Sequence, residues 1–568
     1  MRNRVPKDGP ARNGISVNAI AGTYVVLLGI NIEEKWAAAH GLRGFAIERI
    51  DHTEHERYFL INFRRFRHFK DEPSSNVNPF QEFVWGDYTA KERHKYSYII
   101  TAKFGAPGKL ADGPQVLVEI ETENADDSVH RIYFNRGAAA SQAYARRFHN
   151  EPPQKVEGGA AFTWLSRGLE EAMIGFIERA TGPEYELRAS VYEFKYEPVL
   201  HAFAGAKKRG VDVKIVVDEK QNANNEPREA NIAAISQEGI QELVIPRESN
   251  ASYISHNKFI VLRHKDQSKA VWTGSTNISQ GGIFGQSNVG HVVEDPTIAE
   301  HYLDYWNLLA EDQDAKELRP WNEASTQLPA DPSQLKQGTS LVFSPRESLD
   351  ALNFYADCMR SAKQGVFLTA AFGINTALKN VLKEKKEFLR YVLLESIYVQ
   401  KGRQRIKDKD IVILMKRDPN DRFAVGAYLT KDVLGKWVAE QLSGLNKWVK
   451  YFHTKFMLVD PLGSDPLVIT GSANFSDAST TKNDENMLLI RGEPRVADIY
   501  LTEFMRLFQH YEFRSRVMRV SANLAVENVD EENTVEKGPG APLDETDDWW
   551  KRFFVDDSPR AKERIMFS

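Results

Sequence analysis

Over the first 150 residues the apolar positions come in short runs that alternate with polar ones. TYVVLLGINI, GFAIERID, RYFLINFRRF, YSYIITAKF, QVLVEIETE and HRIYFNR are separated by turns containing Gly, Asp, Asn and Pro. Short period-two segments at this spacing predict a β-rich, sandwich-like unit. EPPQKVEGG (151–159) reads as a linker, and beyond it the period changes. LSRGLEEAMIGFIERATG and PVLHAFAGAKKRG carry apolar residues three and four apart and stop at Gly182-Pro183 and Gly210, which predicts helices. ANIAAISQEGI and PTIAEHYLDYWNLLAED read the same way. Strands are predicted in ELRASVYEF, VDVKIVVD, ELVIP, SHNKFIVL, VWTGSTN and NVGHVVED.

The same order returns after a Pro-rich polar stretch at 319–335. Helices are predicted in RESLDALNFYADCMRSAKQG, TALKNVLKEKKEFLRYVL, VGAYLTKDVLGKWVAEQL and EPRVADIYLTEFMRLFQHY. Strands are predicted in GVFLTAAFGI, DIVILMK, WVKYFHTKFMLVD, LVITGSANF and ENMLLI. Alternating α and β units predict an α/β fold with central sheets flanked by helices. The expected organisation is a β-rich unit over 1–150, one lobe over 155–320 and a second copy over 338–520. Residues 521–568 hold an acidic, Gly/Pro-rich stretch ending in WWKRFF, whose four aromatics are expected to dock on the body.

Composition narrows the function classes. The 568 residues carry a net charge of −5, which excludes a uniformly basic nucleic-acid coat but leaves room for a local basic groove. A single cysteine, Cys358, excludes an intrachain disulfide and a Cys-based zinc site, and points to a reducing, cytoplasmic compartment. Its helix-period surroundings make it a core thiol. Arg2, Arg4, Lys7 and Arg12 ahead of AIAGTYVVLLGINI superficially resemble a signal peptide, but that run is short, contains Gly22 and continues into GLRGFAIERI, so it reads as a folded strand. No run approaches the ~20 apolar residues that span a bilayer, and no stable membrane anchor is expected. RRFRHFK (64–70) fits either a nucleic-acid contact or a strand edge guarded by charge.

The candidate chemistry lies in a duplicated motif. His256 and Lys258 precede Gly274, Ser275 and Asn277; His453 and Lys455 precede Gly471, Ser472 and Asn474. The offsets agree in both copies: 18 positions from histidine to glycine and 21 from histidine to asparagine. In a strand, residues i and i+2 share a face, so each pair is expected to project an imidazole beside an ammonium. Only the second copy carries the carboxylates Asp460 and Glu485; the corresponding positions in the first are Arg263 and Asn288.

Paired His-x-Lys motifs, each followed by Gly-Ser-x-Asn, resemble the phospholipase D superfamily over roughly 155–520. The resemblance implies two lobes whose motifs share one pocket at a pseudo-two-fold interface, cleaving phosphodiesters with no metal or other cofactor. It implies that one histidine attacks phosphorus and the other protonates the leaving oxygen and then activates water, roles suited to a group with a pKa near 7. Lys258, Lys455, Asn277 and Asn474 would stabilise the phosphoryl oxygens, with Ser275 and Ser472 bonding near the phosphate. Asp460 and Asn288 are taken as supporting positions. Since Glu485 belongs to the second copy, it is expected to back His453 as nucleophile, leaving His256 as general acid; the reverse assignment is common in the family. Arg263 is either a third phosphate contact or a surface residue at a strand end. Basic runs at 207–210, 383–390 and 401–409 favour a nuclease and a nucleic-acid partner, each run also fitting a solvated face. A phospholipase or other small phosphodiesterase is the alternative, and a binding protein on a decayed site the third reading. Other partners, through the N-terminal unit, are left open.

Overall fold

The computed structural model describes residues 2–5, 14–69, 72–126, 128–222, 225–249, 253–401, 404–429, 438–446, 449–521, 542–546 and 548–568. In the N-terminal unit, one four-stranded antiparallel sheet runs Arg2–Val5, Ile15–Ala21, Val26–Ile32, Val84–Asp87, and a second runs Glu56–Phe59, Leu42–Asp51, Lys95–Ala106, Lys109–Glu121. They share one core. Val116, Val118 and Ile120 are buried in it, while Gln115, Leu117 and Glu119 between them are exposed, the period-two pattern the sequence predicts. The signal-like run forms the paired strands at 15–32. Trp549, Trp550 and Phe553 of WWKRFF enter the same core, and the Trp549 indole donates to the Leu42 carbonyl at 2.7 Å. The basic segment 64–69 lies beyond the strand Glu56–Phe59, and Arg64 donates to the Pro542 carbonyl. Most of the acidic stretch lies outside the described residues.

The two lobes hold seven-stranded sheets of identical order. From one edge, the first runs His130–Phe134, Val289–Val293, Gln267–Gly274, Lys258–His264, Tyr185–Val191, Asp212–Asp218, Val244–Arg247. The second runs Gly338–Ser344, Glu485–Arg491, Leu467–Gly471, Phe456–Val459, Gly365–Ala370, Leu389–Leu394, Asp421–Val425. In both, the first four pairings are antiparallel and the last two parallel. HRIYFNR therefore belongs to the first lobe rather than to the β-rich unit, as the counterpart of Gly338–Ser344. The helices Pro296–Ala310 and Pro494–Ser521 contribute Tyr302, Tyr305, Tyr500 and Phe504 to a core shared by both lobes. Phe259 and Val261 face this core and Ile260 and Leu262 the outer one; Phe456 and Leu458, against Met457 and Val459, repeat the alternation. Cys358 is buried in the outer core of the second lobe, where burial pushes its thiol up to about 12.

Several expected elements differ. DIVILMK lies in the helix Lys409–Arg417, opened by the Asp408 carboxylate, which accepts from the Asp410 and Ile411 amides. A short continuous apolar run has no period with which to distinguish strand from helix. TALKNVLKEKKEFLRYVL divides into the helix Thr376–Lys383 and the strand Leu389–Leu394, the latter buried along its whole length. Of VGAYLTKDVLGKWVAEQL, residues 426–429 and 438–442 are not helical and 430–437 lie outside the described residues. WVKYFHTKFMLVD forms a strand only over Phe456–Val459, so His453 and Lys455 sit on the approach to it, as His256 does before Lys258–His264.

Candidate active site

Each histidine segment is zipped to the opposite lobe. Ser255 forms a parallel bridge with Asp484, and Phe452 with Ser287. The His256 amide donates to the Asp484 carbonyl at 3.0 Å, and the His453 amide to the Ser287 carbonyl at 2.7 Å. Because each bridge stands one residue before a histidine on one side and one residue before the acid position on the other, the lobes exchange partners. Glu485 of the second lobe faces His256 of the first. Its two carboxylate oxygens lie 3.0 and 2.9 Å from His256 Nδ1, and neither side chain is accessible enough for water to compete. A carboxylate only accepts, so Nδ1 carries the proton and Nε2 presents a lone pair. His453 stands edge-to-face across the site, its ring centroid 6.1 Å from that of His256. Its Nδ1 is 3.2 Å from the Ser275 carbonyl, which again assigns the proton to Nδ1.

The lysines complete a cationic pocket. Lys258 and Lys455 are buried and donate to the carbonyls of His256 and His453, two residues back in each case. The Oδ1 atoms of Asn277 and Asn474 are buried with no hydrogen-bond partner among the described residues. Two histidines, two lysines and two asparagines at equivalent positions are the composition of a site built for an oxyanion, with the ammonium and amide N–H groups as its donors. Gly274 and Gly471 allow the close approach that forms it: a Cβ would lie 2.3 Å from the Val289 oxygen at the first and 2.2 Å from the Asn486 oxygen at the second.

Residues 173–309 and 407–508 match the sequence family described as cardiolipin synthase, PLD-like domain, one segment in each lobe and each carrying one histidine motif. The two lobes are tandem phospholipase D-like lobes. No curated protein sequence matches it. Among solved structures it resembles polyphosphate kinase from Porphyromonas gingivalis, at 11% identity over 61% of this chain and 48% of that one, about half its length, with a TM-score of 0.38. It resembles phosphatidylserine synthase from Haemophilus influenzae Rd KW20 at 12% identity over 63% of this chain and 91% of that one, with a TM-score of 0.41. It also resembles yeast tyrosyl-DNA phosphodiesterase, at 12% identity over 57% of this chain and 88% of that one, with a TM-score of 0.33. All three TM-scores lie below 0.5, and none bears on substrate.

The electrostatics of this phospholipase D-like site follow from burial. Desolvation pushes His256 down to about 4, Glu485 pulling against it and Lys258 adding to it. Burial likewise depresses Lys258 to about 7, and holds His453 and Lys455 well below their ordinary values. Burial alone would raise Glu485, but His256, Lys258 and the Ser472 hydroxyl hold its carboxyl below the usual range. The pocket thus holds more cationic capacity than it can ionise by itself, and an entering phosphate favours the protonated forms.

Several expected roles are corrected. Glu485 backs His256, not His453. Ser275 and Ser472 do not point at a phosphate: the Ser472 hydroxyl donates to Glu485 at 2.6 Å and the Ser275 hydroxyl to Asn288 Oδ1 at 2.8 Å, so each serine orients the residue at the acid position of its own lobe. The Asn288 amide nitrogen donates to the Gly282 carbonyl at 2.7 Å. Asp460 holds a turn, accepting from the amides of Lys363, Gln364 and Gly365. Arg263 pairs with Glu186 in the neighbouring strand, the strand-end reading. Of the basic runs, Arg390 in 383–390 is buried against Asp421 rather than displayed.

Other contributors lay outside the motif. Asp218 accepts from the Ser255 amide at 2.8 Å, and Glu395 from the amides of Lys450, Tyr451 and Phe452, so each lobe clamps its own histidine segment with an acid at a strand end. The endings IVVD and VLLE, apolar runs closed by an acid, were a usable signal. Arg247, buried, pairs with Asp484 at 3.0 Å and Asp312 at 3.0 Å and anchors the residue before Glu485. No helix among the described residues is long and apolar enough to cross a membrane.

Proposed function

We propose that the protein is a metal-independent phosphodiesterase acting on nucleic acid through a covalent phosphohistidine on His256. The superfamily is one of phosphodiesterases and phosphotransferases, and the observation that carries this assignment is the Glu485 carboxylate on His256 Nδ1. A carboxylate there fixes the tautomer and stabilises the positive charge that the ring acquires as its Nε2 bonds to phosphorus. As that P–N bond forms, the bond from phosphorus to the leaving oxygen breaks, and the departing oxygen takes a proton from His453 Nε2. Among the described residues no carboxylate bonds His453, so it holds a proton there only while the substrate's negative charge offsets burial and the lysines. Water then attacks phosphorus from the vacated side and gives a proton to His453; the P–N bond breaks and the phosphomonoester leaves. Lys258, Lys455, Asn277 and Asn474 bear on the non-bridging oxygens throughout.

Support for a polyanionic substrate comes from exposed lysines close in sequence to the site. Lys450 and Lys482 stand three residues from His453 and Glu485. The test is turnover of single-stranded DNA, RNA and dispersed phosphatidylcholine in EDTA, with His256→Ala as control and acid-quenched trapping of the phosphoenzyme. Nucleic-acid cleavage in EDTA with label on His256 is expected. A requirement for Mg²⁺, label on His453, or turnover of phosphatidylcholine alone would each overturn part of the reading.

A further inference from the structure

Two aromatic rings flank the phosphate position, one from each lobe, and neither belongs to the duplicated motif. Tyr192 directly follows the strand Tyr185–Val191, and Phe372 follows its counterpart Gly365–Ala370 by two residues. Tyr192 lies 5.2 Å from the His256 ring, edge-to-face, and 5.5 Å from Lys258 Nζ. Phe372 lies 5.8 Å from the His453 ring, also edge-to-face, and 5.9 Å from Lys455 Nζ. The two differ in exposure. Tyr192 is half-buried, whereas Phe372 is 54% exposed despite standing at the mouth of a cationic pocket. Leaving a phenyl ring in water there forgoes the stabilisation that burial would bring. A ring with Lys455 Nζ over one face and half of its surface in solvent offers a flat apolar platform.

A phosphodiester carries one substituent on each side of phosphorus. In an in-line displacement the leaving group departs opposite the nucleophile. With His256 attacking, that is the His453 side, where Phe372 stands.

We propose that Phe372 is a specificity-determining residue that stacks on a planar heteroaromatic base carried by the leaving group; this rests on the nucleic-acid phosphodiesterase reading above. Base–aromatic stacking is tolerant of sequence, because every base presents a π-face. The platform therefore selects substrates that carry a base next to the scissile phosphate without choosing among bases. Lys455, beneath the same ring, holds the phosphate while the ring holds the base, which fixes the distance between the two groups that the site accepts.

The test compares two thymidine 3′-phosphodiesters that differ only in the leaving alcohol: the dinucleoside phosphate, with a second thymidine, and the methyl ester. The wild-type protein is expected to favour the first in kcat/KM by about tenfold, the order of one base–aromatic stack, mostly through KM. Phe372→Ala is expected to narrow that ratio to about twofold or less. Phe372→Trp restores or widens it and Phe372→Leu does not, which separates stacking from mere apolar bulk. A wild-type protein with no preference, a ratio unmoved by Phe372→Ala, or full rescue by leucine overturns the proposal. So does loss of binding to phosphatidylcholine vesicles as the sole effect of Phe372→Ala, which would make the ring a lipid contact. If neither diester is turned over and no phosphohistidine forms, the phosphodiesterase reading itself has failed instead.

Discussion

Glu485→Gln tests the chemistry most directly. The substitution keeps size and shape, and the glutamine carbonyl still accepts from His256 Nδ1, so what is removed is charge. In the native site the carboxylate is fully buried with both oxygens within 3.0 Å of that nitrogen. The imidazole gains positive charge as it bonds to phosphorus. A unit charge at about 4 Å in an effective dielectric of about 20 contributes about 4 kcal/mol. At about 1.4 kcal/mol per decade, kcat/KM should fall by about 10³. The assay is single-turnover release of p-nitrophenolate from bis(p-nitrophenyl) phosphate. That leaving group departs without needing a proton, so the burst reports the nucleophilic step alone. His453→Ala should retain the burst and lose steady-state turnover, because water activation then fails. A Glu485→Gln burst within tenfold of wild type, with thermal unfolding unchanged, would refute the reasoning. So would a greater burst loss from Asn288→Ala than from Glu485→Gln.

For bis(p-nitrophenyl) phosphate, whose leaving group needs no proton from His453, the pH profile of kcat/KM should be bell-shaped. His256 attacks as the free base, so activity rises through a pKa of about 4; Lys258 serves as the ammonium, so activity falls above about 7. An acid limb at the ordinary histidine value of about 6.5 would contradict the burial argument. Asp460→Asn should lower stability by about 1–3 kcal/mol, read from the urea midpoint, because it weakens the cap on three backbone amides. Since Asp460 serves that turn, kcat of the folded protein should stay within about twofold of wild type, well under the effect of one oxyanion donor. Arg247→Ala should cost about 3–5 kcal/mol by leaving Asp484 buried without its guanidinium, and Arg247→Met less, since it fills the space; denaturant unfolding distinguishes the two.

Legibility followed the range of the interactions. Strands such as Lys109–Glu121 could be read because burial alternates along a single segment. The helix Lys409–Arg417 could not, because its apolar run is short and continuous and its start depends on the Asp408 cap. The strand Leu389–Leu394 was hidden in a lysine-rich, helix-favouring context and is decided by its place between Gly365–Ala370 and Asp421–Val425. His130–Phe134 reads as part of the β-rich unit because its partner, Val289–Val293, lies about 160 residues away.

The sequence by itself carried the phospholipase D-like resemblance, the duplicated lobe and the repeated motif of His256, Lys258, Asn277, His453, Lys455 and Asn474. Fixed spacing on a repeated local pattern survives in one dimension. It also showed that one copy has Glu485 where the other has Asn288. Which histidine that carboxylate serves was decided only by tertiary structure. Within the chain Glu485 is closer to His453, but the bridges Ser255–Asp484 and Phe452–Ser287 cross the lobes and deliver it to His256. Backbone pairing between lobes has no period and no local signature, so the exchange of partners, on which the proposed choice of nucleophile rests, appears only once the two sheets are packed together.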